Sequence, residues 1–229
     1  MDTHILQIST TGRNPWVSHV QRSFDAAWRG EGKLDAGVLA IEGMSGRKYR
    51  QFINMLVAGA ASPRYLEIGS WAGSTLCSAI QGNDVTAMAI DNWSEFGGPS
   101  GMFLQNLSQF RGSKSRVSFL ERDFRTIDYQ TIGSFNIFLF DGPHAEVDQY
   151  DGLCMPQPAL DDQHVLIVDD WNFRTVRDGT HRALAERGHR VDWATEIRTT
   201  LDDSHPLHGR QHSDWHNGYF IAALTKAAT

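Results

Sequence analysis

The sequence predicts an α/β fold, with a mostly parallel seven-stranded sheet, helices on both faces and a helical N-terminal extension. Three observations lead there. From Arg64 onward, short apolar runs alternate with helix-length segments. The middle runs, Ala-Met-Ala-Ile90, Phe135–Phe140 and His-Val-Leu-Ile-Val168, are nearly continuous in apolar residues, as strands buried on both faces should be. A glycine-bearing turn joins the first such run to a helix, and an acid closes the second run.

The elements follow in order. Residues 1–62 read as a helical extension or cap, and 63–229 as the main domain. In the extension, Trp16, Val20, Phe24 and Trp28 recur every fourth residue, an apolar stripe for core packing or an oligomer surface. Ser45 is placed to cap a helix through Tyr49, Phe52, Ile53, Leu56 and Val57 that ends near Gly59. Strands are expected at Tyr65–Ile68, Val85–Ile90, Val117–Leu120, Phe135–Phe140, Val165–Val168, Val191–Thr195 and Tyr219–Leu224. Helices are expected at Ser74–Gln81, Met102–Phe110, Glu146–Gln157 and Asn172–Arg187. No helix-length segment separates the last two strands, so they are expected to pair antiparallel.

Composition narrows the function. The 229 residues hold 41% hydrophobic side chains, which excludes disorder as the main state. Two cysteines, Cys77 and Cys154, exclude a disulfide scaffold. With 21 Lys+Arg against 27 Asp+Glu, the net charge of −6 disfavours general nucleic-acid binding. No apolar run approaches the ~20 residues that span a bilayer. The start, MDTHILQISTTGRNPW, lacks the basic and apolar regions of a signal peptide. A cytoplasmic enzyme or small-molecule binder without a membrane partner is expected, and a homo-oligomer is compatible with the N-terminal stripe.

The strongest local signal is Tyr65-Leu-Glu-Ile-Gly-Ser-Trp-Ala-Gly-Ser-Thr75. Gly69 lets the chain turn sharply, and Gly73 permits close approach of a ligand to the backbone. The N–H groups opening the next helix suit an anionic or polar ligand group. Asp91, 22 residues after Gly69, closes the next strand, where an acid binds ribose hydroxyls. A dinucleotide site wants glycine at the position of Trp71, which argues against a nicotinamide-dependent oxidoreductase without removing it. A plainer alternative is that Gly69 and Gly73 only close a tight turn.

This E-x-G-x-x-x-G spacing resembles the first motif of class I S-adenosylmethionine-dependent methyltransferases, which have a Rossmann-like fold. Glu67-Ile-Gly-Ser-Trp-Ala-Gly-Ser-Thr75 looks like the version in cation-dependent O-methyltransferases of the catechol type. Asp91 matches that family's ribose-binding acid, and Asp123-Phe124 resembles its adenine-contacting pair. The resemblance implies a cofactor site of Glu67, Gly69, Ser70, Trp71, Gly73, Ser74, Asp91, Asn92, Trp93, Asp123, Phe124 and Asp141.

A second constellation carries the chemistry. Asp141-Gly-Pro-His144 follows one buried run, and Asp169-Asp170-Trp171 follows another. If those strands are neighbours, three carboxylates meet at the carboxyl edge of the sheet, where open α/β folds bind ligands. Crowded carboxylates repel, and a divalent cation with oxygen ligands, Mg²⁺, Ca²⁺ or Mn²⁺, relieves them. The alternative is that Asp169 and Asp170 cap the next helix while Asp141 begins a turn. The family resemblance implies a metal site at Asp141, Asp169 and Asp170. Catechol-type enzymes usually carry Asp-Asn in the pair, so Asp170 is closer to the sugar O-methyltransferases of macrolide biosynthesis. Their D-x-x-H element is matched by Asp141 to His144, which implies His144 as general base. The likeness covers about Arg64 to Asn172. It implies Mg²⁺-dependent methyl transfer to a hydroxyl of a small molecule, such as a sugar or other natural product. A metal-free methyltransferase and a non-catalytic cofactor-binding protein are the other readings.

Four histidines, His205, His208, His212 and His216, crowd the segment before the last strand. The last three would share a helix face and could bind zinc, but Gly209 and Ser213 are poor helix formers. A polar loop near the acceptor edge is the expectation. Trp93, Phe96 and Trp171 are candidates for lining the pocket or for ordinary core packing.

Overall fold

A computed structural model describes residues 3–9 and 13–227. Among them, eight strands form one sheet in the order β1-β7-β8-β6-β5-β2-β3-β4. The strands are β1 (His4–Ser9), β2 (Arg64–Ile68), β3 (Thr86–Asp91), β4 (Arg116–Glu121), β5 (Phe135–Phe140), β6 (Leu160–Val168), β7 (Arg190–Arg198) and β8 (Tyr219–Thr225). β4, β3, β2, β5 and β6 are parallel neighbours, while β8 lies antiparallel between β6 and β7. The antiparallel pairing of the last two strands agrees with the missing helix between them.

The sheet has one strand more than the sequence suggested. β1 comes from the segment read as helical and looped, and pairs antiparallel with β7 at the sheet edge. Every one of its residues is exposed, so its backbone pairs while its side chains leave no core pattern to read.

Helices cover both faces: α1 (Trp16–Trp28), α2 (Ala36–Leu39), α3 (Arg47–Ala58), α4 (Ser74–Ile80), α5 (Ser100–Phe110), α6 (Glu146–Cys154) and α7 (Arg174–Glu186). Strand alternation sorts them. Tyr65, Ile137, Leu139, Val165 and Ile167 face one core, with Phe24 of α1, Phe52 and Leu56 of α3, Leu76 of α4 and Phe103 of α5. Leu66, Ile68, Phe138, Phe140, Leu166 and Val168 face the other, with Leu153 of α6 and Val176 and Leu184 of α7. The helices α1 and α3 thus share a core with the sheet.

Ser45 does not cap α3, whose N-cap is Gly46. Its hydroxyl bonds Arg50 Nε (2.8 Å) and Ser74 Oγ (3.0 Å) instead. The first N–H groups of α3 go to a distant loop: Arg47 donates to the Ser213 carbonyl (2.7 Å), and Lys48 and Tyr49 to that of Asp214 (3.2 and 3.3 Å). A Cβ at Gly46 would sit 2.2 Å from the Asp214 oxygen, so glycine permits this contact.

Candidate active site

The carboxyl ends of β2, β3, β5 and β6 open into a cleft of about 870 Å³. Gly69, at φ +88°, turns the chain out of β2, and a Cβ there would lie 1.8 Å from the Asp141 carbonyl oxygen. The turn is held by Asp91. Its Oδ2 accepts the Ser70 and Trp71 N–H groups (both 2.8 Å), and its Oδ1 accepts that of Trp93 (2.7 Å). Trp71 Nε1 donates to the Phe96 carbonyl (3.1 Å), and Trp93 Nε1 to that of Trp71 (2.8 Å).

Of the residues expected at the cofactor, Gly69, Trp71, Asp91, Asn92, Asp123, Phe124 and Asp141 line the cleft. Phe124 packs edge-on against Phe140, at 5.6 Å between centroids. Asp123 Oδ1 accepts the Arg125 N–H at 2.9 Å. Glu67, Ser70, Gly73, Ser74 and Trp93 do not line it. Gly73 makes room for the Phe103 ring, 3.1 Å from where its Cβ would be, and Trp93 packs on Phe103 and Phe119. Glu67 is fully buried under the turn, with Tyr65 Oη donating to Oε2 (2.5 Å) and Oε1 unpartnered. Burial lifts its carboxyl to about 7, against the pull of the Tyr65 hydrogen bond.

Asp141, His144 and Asp170 come together in the wall of the cleft. One ligand atom from each lies within 4.8 Å of the others. Asp170 stands at φ +59°, a left-handed conformation that Asp tolerates better than most residues. Its Oδ2 meets His144 Nε2 at 2.5 Å, and its Oδ1 accepts Asn217 Nδ2 at 2.5 Å. Asp169 turns the other way. Its Oδ1 accepts the Asp170 N–H at 2.6 Å, and its carboxyl shares a hydrogen bond with Asp141.

The electrostatics follow from this crowding. Burial, then the charge of Asp170, pushes the Asp141 carboxyl well above the usual range. Burial, then Asp141 and Asp170, does the same to Asp169. Burial works to lower the His144 imidazole, but the hydrogen bond and charge of Asp170, with the charge of Asp141, lift it to about 9. Burial opposes ionisation of Asp170 too, yet His144 and Asn217 hold its carboxyl below the usual value.

The histidine-rich segment is a loop with one 3₁₀ turn, Arg210–His212. His205, His212 and His216 line the cleft, as do Arg210, Met44, Phe96 and Phe173. His216 Nδ1 accepts the Arg210 N–H (2.8 Å), and burial lowers its pKa to about 4. Trp171 instead stacks on Phe220 in the core, at 4.7 Å. Asn172 and Asn217 escaped sequence reasoning. Fully buried Asn172 donates to Thr199 Oγ1, Ser204 O and Asn217 Oδ1, tying the loop to the acid pair. Nothing local marks Asn217, because its partner Asp170 is 47 positions away.

The chain matches no protein-family model and no curated protein. Its shape does match solved structures. TrmN from Thermus thermophilus is 16% identical at a TM-score of 0.55, over 83% of this chain and 52% of that one. This chain therefore spans about half the length of TrmN. The O-methyltransferase TomG from Streptomyces achromogenes, involved in tomaymycin synthesis and solved with S-adenosylmethionine, is 14% identical at 0.55, over 93% and 92%. A candidate caffeoyl-CoA O-methyltransferase from Staphylococcus aureus is 13% identical at 0.52, over 89% and 91%. Strand order, layers and these likenesses agree: the chain has the Rossmann-like fold of class I S-adenosylmethionine-dependent methyltransferases.

Proposed function

We propose that the chain transfers a methyl group from S-adenosylmethionine to a hydroxyl of a small molecule, a sugar or another natural product. One observation carries this: a single cleft is lined both by Asp91, Asp123 and Phe124 and by the close cluster of Asp141, His144 and Asp170. Its volume falls in the range of small-molecule sites. Asp91 has about four lone-pair positions and uses three in the turn, leaving one for a ribose hydroxyl. Phe124 offers an aromatic wall for adenine. Bound S-adenosylmethionine supplies an electrophilic methyl on a sulfonium. The protein's part is to hold the acceptor oxygen in line with it and take its proton.

His144 is the proton acceptor in this reading. The charges of Asp170 and Asp141 hold a proton on its ring, so it is free to act only where those charges are offset. A divalent cation fits the donor set. Asp141 and Asp169 are carboxyls driven up by burial and by each other, an excess of negative charge that a hard cation such as Mg²⁺ relieves. Asp141 and Asp170 would hold the ion, with Asp169 bracing Asp141 from behind. Such an ion lowers the pKa of a bound hydroxyl. A second reading rests on the 2.5 Å contact: Asp170 orients His144 as a carboxylate–imidazole pair and no ion is needed.

Calorimetric titration with Mn²⁺ separates the two. Asp170→Asn should weaken Mn²⁺ binding about tenfold or more, the scale of a lost charged ligand. No Mn²⁺ heat with the unaltered protein favours the ion-free pair. The cytoplasmic setting rests on composition; among the described residues no helix is long and apolar enough to cross a membrane.

A further inference from the structure

A second cavity, of about 1050 Å³, opens at the opposite edge of the sheet and shares no lining residue with the cleft. It lies where β2, β3 and β4 begin, at Arg64, Thr86 and Arg116, and where α3, α4 and α5 end, beside Ala58, Gln81 and Phe110. It is large enough for a small molecule, and the methyl transfer proposed above makes no use of it.

Two buried asparagines line this cavity: Asn54 is 2% exposed and Asn83 8%. Asn54 Nδ2 donates to the carbonyls of Ser78 and Gln81 (2.8 and 3.0 Å). Asn83 Nδ2 donates to those of Asn54 and Ala79 (3.1 and 2.8 Å). These bonds tie both amide nitrogens to the end of α4 and fix which way each amide faces. The two Oδ1 atoms receive no donor from the described residues, and neither is sealed from solvent. Acceptors held in place in a cavity wall suit a ligand that brings hydroxyl donors.

Cations outnumber acids in the same wall: Lys33, Arg64, Arg111 and Arg116 against Asp35 and Asp84. Arg64 pairs with Asp161, and Arg116 stands 3.9 Å from Asp84. Asp35 is bonded to Gln81. Lys33 and Arg111 have no acidic partner among the described residues. Leu34, next to Lys33, and Phe110, next to Arg111, share one apolar cluster, so the two cations flank the same part of the wall. A phosphate monoester carries nearly two negative charges and three acceptor oxygens, which match cations reaching it from separate elements.

We propose that this cavity binds a hydroxylated phosphate monoester of the sugar-phosphate class. Its hydroxyls meet Asn54 Oδ1 and Asn83 Oδ1, and its phosphate meets Lys33 and Arg111. The site is separate from the methyl transfer and does not rest on it.

The test titrates the full chain, by calorimetry, with glucose 6-phosphate, ribose 5-phosphate and glycerol 3-phosphate, and with glucose, ribose, glycerol and inorganic phosphate as the separated halves. At least one ester should bind at a single site, roughly tenfold or more tighter than either of its halves. Lys33→Gln and Arg111→Gln, both at exposed positions, should each weaken it roughly two- to fivefold, the range for exposed charges. The side-chain amide signals of Asn54 and Asn83 should shift in nitrogen–proton NMR spectra as that ester is added. Three outcomes overturn the proposal: no ester binds, inorganic phosphate binds as tightly as the esters, or binding ignores both substitutions and leaves the two amides unmoved. A cavity whose cations only offset the carbonyl ends of the helices would give the first of these. Affinity for S-adenosylhomocysteine should stay within about twofold in both variants, so its absence in the unaltered protein would count against the methyltransferase reading alone.

Discussion

His144 and Asp170 face each other across 2.5 Å, and that pair shapes the pH behaviour of the site together with Asp141 and Asp169. The folded His144 pKa of about 9 exceeds the unfolded 6.5, so its stabilisation is full below 6.5 and is lost as pH rises through 9. Glu67, raised from 4.5 to about 7, runs the same way in a lower window. His216 and His189, lowered to about 4, and His164, lowered to about 3, act oppositely, adding stability as pH rises toward 6.5. Asp141, raised to about 8, and Asp169, raised well above its usual range, lose stabilisation in the same direction as His144, so thermal stability of the metal-free protein should fall between about pH 7 and 9. His144→Gln should make that alkaline fall shallower, most clearly between about pH 8 and 9; a slope as steep as before would remove the pairing. Much of this cluster was legible in the sequence, because Asp141 and Asp169-Asp170 follow unbroken apolar runs. Which acid faces the cleft was not. Alternation along β6 sends Ile167 to one core and Val168 to the other, and that rule places Asp169 with Ile167. The left-handed turn at Asp170, which aims it at His144, has no signature in residue type.

At the level of elements, close packing decides what propensity cannot. Gly152 lies within α6, where alanine would ordinarily gain about 1 kcal/mol. A Cβ there would lie 2.0 Å from the Phe140 ring, so Gly152→Ala should instead destabilise by about 1–3 kcal/mol. Denaturant unfolding checks the sign, and a stabilised variant would contradict this packing. The loop over the cleft depends on α3 in a similar way. Gly46→Ala would push on the Asp214 carbonyl and break the contacts that seat the 213–214 backbone on the helix. Amide hydrogen exchange of residues 199–218 should then quicken while β5 stays protected. Unchanged exchange in the loop would mean that α3 does not hold it. The strands β2, β3, β5 and β6 were readable because their apolar runs are largely buried, whereas β4 is mostly exposed and was marked only by the short Val117–Leu120 run. β1 and the capping of α3 were not readable, since both depend on partners more than 150 positions away.

Across the whole molecule, a sheet with a five-strand parallel core brings Asp91 and Asp123 and the cluster of Asp141, His144 and Asp170 to one cleft. That arrangement was foreseeable from alternating apolar runs, the Gly69 turn and the acids at strand ends. Another part of the wall was less so: Phe173, His205 and Arg210 reach the cleft through loop contacts that only the folded chain creates. The proposed activity stands or falls on what this cleft binds. Calorimetric titration of the unaltered protein with S-adenosylhomocysteine and, in parallel, with NAD tests it most directly. One saturable site for S-adenosylhomocysteine, weakened by Asp91→Ala, is expected, with no heat from NAD. Preference for NAD, or no heat from the adenosyl ligand, would contradict methyl transfer as the function.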